Sequence, residues 1–340
     1  MKRRDFLKAA GGGALVAATT SGTAQARPNK EPPANAVGML YDSTLCVGCQ
    51  ACMTECKKIN GMPPEQALGD EMWDSPADLS EKTLNIIKLY RDGDGSVKDR
   101  ETDGFAFVKR HCQHCVDAGC VSVCPVTAMR KDAKTGIVTH HEDVCIGCRY
   151  CVYACPYNVP KYEFSKADGQ IRKCQFCNQA GVERIDQGLL PGCVEVCPTG
   201  ASLFGTYADL KAEAERRVAL QPGENTVYPR GMLNPGSGGY AQPGLPPHEK
   251  PAPQYQPEVF GDADDSGGTQ VLHIAAVPFQ KLGLPDLPER SFAARSETVQ
   301  HTIYGGAVLP IAALAGLVYA ARRSTVGKQE GEDSTGGQPS

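Results

Sequence analysis

A chain of 340 residues with an ordinary apolar fraction is long enough for one or two domains with a hydrophobic core. The formal charge is -4. Lys2, Arg3, Arg4 and Lys8 against Asp5 put the first 26 residues at +3 and the remainder at -7, which argues against a nucleic-acid partner. The 16 cysteines sit in tight C-x2-C clusters in a long chain, which excludes a short disulfide scaffold and points to metal.

In chain order, Arg3-Arg4-Asp5-Phe6-Leu7-Lys8 precedes a weakly apolar, glycine-rich run from Ala9 to Ala18, and Ala24-Gln25-Ala26 is a small-x-small cleavage site. Residues 1–26 are read as a twin-arginine signal, which implies export of an already folded protein; the alternative is a plain secretory signal. Arg27 to Met39 is rich in proline and polar residues and reads as a tether. The first cluster motif is Cys46-x2-Cys49-x2-Cys52-x3-Cys56, followed by Lys57-Lys58 instead of proline. An insertion at about 60–110 carries two β-rich runs, Thr83 to Tyr90 and Gly104 to Lys109, around Asp92-Gly93-Asp94-Gly95, and predicts a hairpin. Trp73 within it is read as packing.

The second motif is Cys112-x2-Cys115-x4-Cys120-x3-Cys124-Pro125. Val126 to Met129 reads as a short helix start, and Thr135 to Thr139 as turn plus strand. The third motif is Cys145-x2-Cys148-x2-Cys151-x3-Cys155-Pro156. The fourth is split into Cys174-x2-Cys177 and, after a loop, Cys193-x3-Cys197-Pro198. Thr206-Tyr207-Ala208-Asp209 predicts a capped helix to about Leu220 with Leu210, Ala214 and Val218 on one face. From Gln221 to Gly268 proline and glycine are dense and periodicity is lost, which predicts an irregular arm. A free linker is the alternative, but Tyr228, Tyr240, Tyr255 and Phe260 favour an arm packed on something. Thr269 to Ile274 reads as a strand, and the segment to Glu289 is again proline-rich.

Ile303 to Ala321 is an uncharged stretch that as a helix would span about 28 Å, close to a bilayer's hydrocarbon core. Pro310 is tolerable there. Arg322 and Arg323 follow, and by the positive-inside rule hold the tail, 322–340, in the cytoplasm. Ala312, Gly316 and Ala320 share one small-residue face. The alternative is a buried core helix.

All sixteen cysteines fall within the four motifs. C-x2-C-x2-C-x3-C-P is the run that binds cubane iron-sulfur clusters, because three thiolates on one tight loop reach three irons of one cluster. Four motifs predict four [4Fe-4S] clusters. Zinc ribbons also use C-x2-C pairs but without a third cysteine two residues on. His111, His114, His140 and His141 lie beside motifs whose quartets are already complete, so they are neighbours that tune potentials, or surface, rather than ligands. Lys57, Lys58, Arg149 and Lys173 are basic neighbours of the same kind, or simply solvated.

The order motif, turn, strand, motif resembles the two-cluster bacterial ferredoxins. Cys46 to Cys56, His111 to Pro125, Gly147 to Tyr162 and Lys173 to Gly200 together resemble the four-cluster ferredoxin subunits of membrane-bound oxidoreductases. Gly38 to Ser43, Tyr157 to Tyr162, Leu190 to Pro198, Gly268 to Leu272 and Ala294 to Glu297 are most similar to the iron-sulfur subunit of hydrogenase-2 type uptake hydrogenases. The resemblance implies an α+β fold of tandem two-cluster bacterial ferredoxin-like modules with insertions, over 27–205. A helix and a long irregular C-terminal arm would follow over 206–300, then one C-terminal transmembrane helix at 303–321.

Resemblance to ferredoxins also implies crossed ligation, the fourth cysteine of each motif serving its partner motif's cluster. The sets are then Cys46, Cys49, Cys52 with Cys197; Cys174, Cys177, Cys193 with Cys56; Cys112, Cys115, Cys120 with Cys155; and Cys145, Cys148, Cys151 with Cys124. The implied role is a non-catalytic carrier of electrons from the small and large subunits of a periplasmic nickel-iron hydrogenase to a polytopic quinone-reactive membrane subunit. Its C-terminal helix would contact lipid. Two alternatives stand beside it: the equivalent subunit of a molybdopterin oxidoreductase of the formate dehydrogenase or polysulfide reductase type, and a structural or assembly protein whose clusters do not turn over.

Overall fold

The computed structural model describes residues 27–65, 72–235, 245–263 and 265–332. The signal expected at 1–26, Tyr240 and the end of the tail lie outside the described residues. The chain divides into a unit of residues 28–293 and a second unit that contains Arg27 and everything from Ala294 on.

The larger unit is built on β1 (Val37–Asp42), every residue of which is buried. Leu40 pairs with Leu203 of the antiparallel β9 (Ser202–Thr206) on one side and with Leu272 of the parallel β12 (Val271–Ile274) on the other. Successive side chains alternate faces. Leu40, Leu203, Leu272 and Ile274 pack against Leu210 and Ala214 of α5 (Tyr207–Val218). On the opposite face Val37, Met39, Phe204 and Val271 pack against Phe176, Cys193 and Val194. The tether expected to reach Met39 therefore ends earlier: the apolar run from Val37 is drawn into the sheet because both of its faces have a core to bury against.

As the capping pattern predicts, Thr206 caps α5, its Oγ1 accepting the Asp209 backbone N–H at 3.3 Å. The arm after α5 is not irregular. β10 (Asn225–Met232) and β11 (Leu245–Pro251) form an antiparallel ribbon that extends the sheet in the order β11-β10-β9-β1-β12. Proline hides these strands from a sequence reading, yet it is compatible with edges and irregular pairing. Pro246, Pro247 and Pro251 lie on the edge strand, and the register shifts between Tyr228 and Arg230, around Pro229. Tyr228, Tyr255 and Phe260 are buried, so this region does pack.

The insertion forms the hairpin, with β2 (Ile86–Arg91) antiparallel to β4 (Gly104–Arg110). The first strand starts at Ile86 rather than Thr83, and a two-residue β3 (Val97–Lys98) joins β4 in parallel. Ile86, Ile87, Phe107 and Val108 pack with Tyr41, Leu45 and Met53 around the first motif. Trp73 packs near Phe107, with ring centroids 6.4 Å apart, but stays half exposed.

The helix start expected at Val126 to Met129 is instead a turn, with Thr127 at φ 52°, leading into β5 (Met129–Lys131). Pairing with β6 (Val138–His140) wins over local helix propensity there. A second short pair, β7 (Lys161–Tyr162) with β8 (Ile171–Arg172), joins motif 3 to motif 4. The helix α6 (Phe292–Glu332), which belongs to the second unit from Ala294 on, runs through Pro310 and is long and apolar enough to cross a membrane. Ile303, Ile311, Leu314 and Val318 on it are exposed, so it is no core helix.

Candidate iron-sulfur centres

The four motifs fold alike. The residue just before the second cysteine has a left-handed backbone in each: Gly48, His114, Gly147 and Phe176, with φ of 70°, 47°, 67° and 53°. That bend turns the chain so that the third cysteine enters a short helix. Cys52 lies in α1 (Ala51–Ile59), Cys120 in α2 (Gly119–Ser122), Cys151 in α3 (Tyr150–Tyr153) and Cys193 in α4 (Gly192–Glu195). Proline after the fourth cysteine follows the end of the helix in motifs 2, 3 and 4. Motif 1 has Lys57 there and α1 continues to Ile59, as expected when the residue that cannot continue a helix is missing.

The helices meet in pairs. A Cβ on Gly119 would stand 3.0 Å from the Ala154 carbonyl of motif 3, and one on Gly192 would run into Ile59 of motif 1. Both glycines immediately precede a third cysteine; Gly119 lets its helix approach the Ala154 backbone, and Gly192 makes room for the Ile59 side chain. Motif 2 is thereby packed on motif 3, and motif 4 on motif 1.

The thiols gather accordingly. Cys46, Cys49, Cys52 and Cys197 line one cavity, and Cys124, Cys145, Cys148 and Cys151 line another. Burial pushes the Cys115 thiol up, and Cys155, Cys120 and Cys112 beside it push it further. Burial does the same to Cys56, with Cys174, Cys193 and Cys177 as its neighbours. Cys52 and Cys151 are each pushed up to about 12, chiefly by burial and then by neighbouring thiols. Such quartets cannot ionise together unless a cation is held among them, and ligation displaces their protons. All sixteen are free thiols. Among the described residues no three His, Cys, Asp or Glu groups converge closely enough for a single metal ion. Each of these two cavities leaves a space among four thiols, as the corners of a cubane require.

Buried cations and histidines surround the thiols. Lys109 of β4 is fully buried, with Nζ donating to Ser202 Oγ at 3.0 Å. Burial would lower its pKa, but Cys193 and Cys52 raise it above the usual range. Lys131 is lowered to about 8 by burial; its Nζ donates to the Cys115 carbonyl at 3.0 Å and to Gln270 Oε1 at 2.6 Å. Lys173 is buried and donates to the carbonyls of Val138 and Cys174. Lys57 turns away to the Lys82 carbonyl and Thr83 hydroxyl, each at 2.6 Å. Lys58 meets Glu55 at 3.5 Å, and Arg149 stacks 5.2 Å from the Tyr162 ring.

The surface alternative fails for His111, His114 and His140, which are buried with pKa values lowered first by desolvation, that of His140 to about 4. His114 stacks on Phe176 at 3.9 Å, and its Nδ1 accepts the Val138 N–H at 3.0 Å. His141 lies 3.3 Å from the Thr139 hydroxyl. Sequence reading missed Lys109, Lys131 and Tyr41. Tyr41 is fully buried beside Cys46, Cys52 and Cys197, and its hydroxyl donates to the Phe107 carbonyl at 3.0 Å. The available signal for Lys109 was its place at the end of the apolar run Phe105 to Val108, three residues before Cys112.

These repeated cysteine loops define an iron-sulfur protein of the ferredoxin class, and residues 104–207 match the 4Fe-4S dicluster domain family. The chain is 50% identical over 326 residues to the hydrogenase-2 operon protein HybA of Escherichia coli O157:H7, covering 96% of each chain. It is 31% identical over 295 residues to the nitrate-inducible formate dehydrogenase iron-sulfur subunit of Escherichia coli K12, covering 83% of each. Protein NrfC of the same strain is 37% identical over 223 residues, 65% of this chain and 86% of that protein. The chain belongs to the HybA family of hydrogenase-2 operon proteins.

Proposed function

We propose that this chain is the non-catalytic electron-transfer subunit of a nickel-iron uptake hydrogenase complex. It holds four [4Fe-4S] clusters between the hydrogenase small and large subunits and a polytopic quinone-reactive membrane subunit. The observation that carries the reading is the chained adjacency of the quartets. Motif 1 is packed on motif 4 and motif 2 on motif 3, and Cys174 of the first pair lies beside Cys112 of the second. The quartets therefore follow one another as Cys46, Cys49, Cys52, Cys197; then Cys56, Cys174, Cys177, Cys193; then Cys112, Cys115, Cys120, Cys155; then Cys124, Cys145, Cys148, Cys151.

When bound, such clusters supply one-electron redox chemistry at potentials set by hydrogen bonds, charge and exposure. The protein's own part is to ligate, to exclude water and to place charge. The inner quartets are enclosed by Phe176, His114 and Tyr157, while both ends reach the surface. Cys49 alone of the sixteen thiols is exposed, beside half-exposed Val47, and Ile146 and Tyr150 are exposed at the other end. In topology, the signal at 1–26 exports the folded chain, 303–321 anchors it, and Arg322 with Arg323 keeps the tail in the cytoplasm, leaving the cluster domain on the periplasmic face. A 31% identity to a formate dehydrogenase subunit is what motivates the second reading, a molybdopterin partner. The 50% identity across nearly the whole chain supports the hydrogenase.

The test is to purify the detergent-solubilised membrane complex through this chain, identify the co-purifying large subunit and add hydrogen. Reduction of the clusters beside a nickel-iron subunit is expected. Clusters that stay oxidised under hydrogen beside a molybdopterin subunit would reject the hydrogenase reading, and clusters inert to every donor would favour an assembly role.

A further inference from the structure

Lys109 sits within β4 with no exposed surface. Its Nζ donates to Ser202 Oγ at 3.0 Å and lies 3.7 Å from the thioether of Met39. Among the described residues its electrostatic partners are the thiols of Cys193, Cys52 and Cys197, and no carboxylate is within ion-pair distance. A hydroxyl and a thioether cannot neutralise a desolvated ammonium, so a lysine buried in this way calls for an anion close by. The anion its surroundings offer is the metal centre itself. A cubane with four thiolate ligands carries net negative charge, which grows by one on reduction.

Ser202 lines the cavity of Cys46, Cys49, Cys52 and Cys197, and Met39 packs in one cluster with Cys193, with Cys52 and Cys174 at its edge. Lys109 thus faces both quartets of motifs 1 and 4. Lys131 and Lys173 differ in having backbone carbonyls around Nζ, that of Cys115 in motif 2 for Lys131 and that of Cys174 in motif 4 for Lys173.

We infer that Lys109 is the shared counter-cation of the two clusters held by motifs 1 and 4, a positioning residue that favours their reduced forms and leaves the clusters of motifs 2 and 3 unaffected. This rests on the electron-carrier reading above. Ser202 and Met39 aim the ammonium, and the strand pairing Ile87↔Lys109 fixes its height between the two loops. Sequence alone places Lys109 on a hairpin strand; the sheet and the fourth motif enclose it.

The experiment is an EPR-monitored redox titration of the whole purified complex carrying Lys109→Met or Lys109→Arg. In Lys109→Met, two of the four cluster signals should titrate lower, with at least a tenfold smaller reduced-to-oxidised ratio at fixed potential, about 59 mV for a one-electron couple. The other two signals should stay put, and Lys109→Arg should remain near wild type. Four intact clusters with unchanged potentials, or an equal shift of all four, overturn the inference. If Lys109→Met does not assemble, Lys109→Gln, which keeps a donor without the charge, is read by the same criterion. Fewer than four clusters on this chain in the wild-type complex would bring down the four-cluster carrier reading instead.

Discussion

Arg217→Met should loosen the first motif from inside the sheet. Arg217 and Asp42 have no exposed side-chain surface and meet at 3.0 Å, Arg217 Nε donates to Glu213 Oε1 at 2.7 Å, and the guanidinium lies 5.0 Å from the Tyr228 ring. Asp42 ends β1 four residues before Cys46, so this pair ties α5 to the approach of the first cysteine loop. Removing one partner of a buried pair costs roughly 3–5 kcal/mol. Here Asp42 keeps the Tyr255 hydroxyl at 2.7 Å and the Thr44 N–H at 3.0 Å, Glu213 keeps Arg216, and methionine restores part of the stem packing. The lower end, about 3 kcal/mol, is therefore expected, or roughly two decades in an equilibrium constant at about 1.36 kcal/mol per decade. Cluster loss makes unfolding irreversible, so the assay is the rate of iron-sulfur bleaching in urea on the full chain in detergent micelles. A rate increase of roughly ten- to a hundredfold is expected, because a side-chain contact absent from the transition state appears mainly in the unfolding rate. Lys211→Ala on the same helix is the control: its pair with Asp262 at 2.6 Å is about a third exposed on both sides and should change the rate little. A bleaching rate for Arg217→Met within about twofold of the Lys211→Ala value would refute the buried-lock reasoning.

Thr206→Ala removes the α5 cap and should cost ~1 kcal/mol, seen in the same urea assay, with Thr206→Ser close to wild type. Gly192→Ala brings a methyl group against the Cδ1 end of Ile59, which can shift, and should cost about 1 kcal/mol, the low end for overpacking, with relief in the Gly192→Ala, Ile59→Ala double variant; additive losses would contradict the close helix approach. Under crossed ligation Cys155→Ser should damage the cluster held mainly by Cys112, Cys115 and Cys120 in EPR spectra, whereas loss confined to the cluster of Cys145, Cys148 and Cys151 would refute the crossing. Stripping the iron by chelation under oxidising conditions should leave crowded, buried thiols with no core to surround, and collapse far-UV circular dichroism and protease resistance together.

The cysteine spacing made the metal chemistry legible, because thiolates reach a cubane only from a tightly turned loop. The hairpin strand from Gly104 and the Thr206 cap were equally readable, since each follows from local pattern. The ribbon Asn225–Met232 with Leu245–Pro251 was not, because its pairing depends on β9 lying alongside, and proline density locally argues against strands. Sequence alone assigns part of β1 to the tether, because a short apolar run gains its identity only from neighbours more than 150 residues away, Leu203 and Leu272. The same long range hid Lys109: its burial is made by Ser202 and the fourth motif, and locally only the apolar run before it sets it apart from a solvated strand lysine. The pairing of motifs became visible in Gly119 and Gly192, whose missing side chains matter only once the opposing helix is in place.

The most direct test of the central claim is to measure iron and acid-labile sulfide in the intact complex, together with the EPR spin count under hydrogen before and after a Cys155→Ser change in this chain. Four [4Fe-4S] clusters on this subunit, all reduced by hydrogen in the wild type and fewer in the variant, are the expected result. A wild-type chain that carries zinc in place of iron, or clusters that hydrogen leaves oxidised while dithionite reduces them, would contradict it.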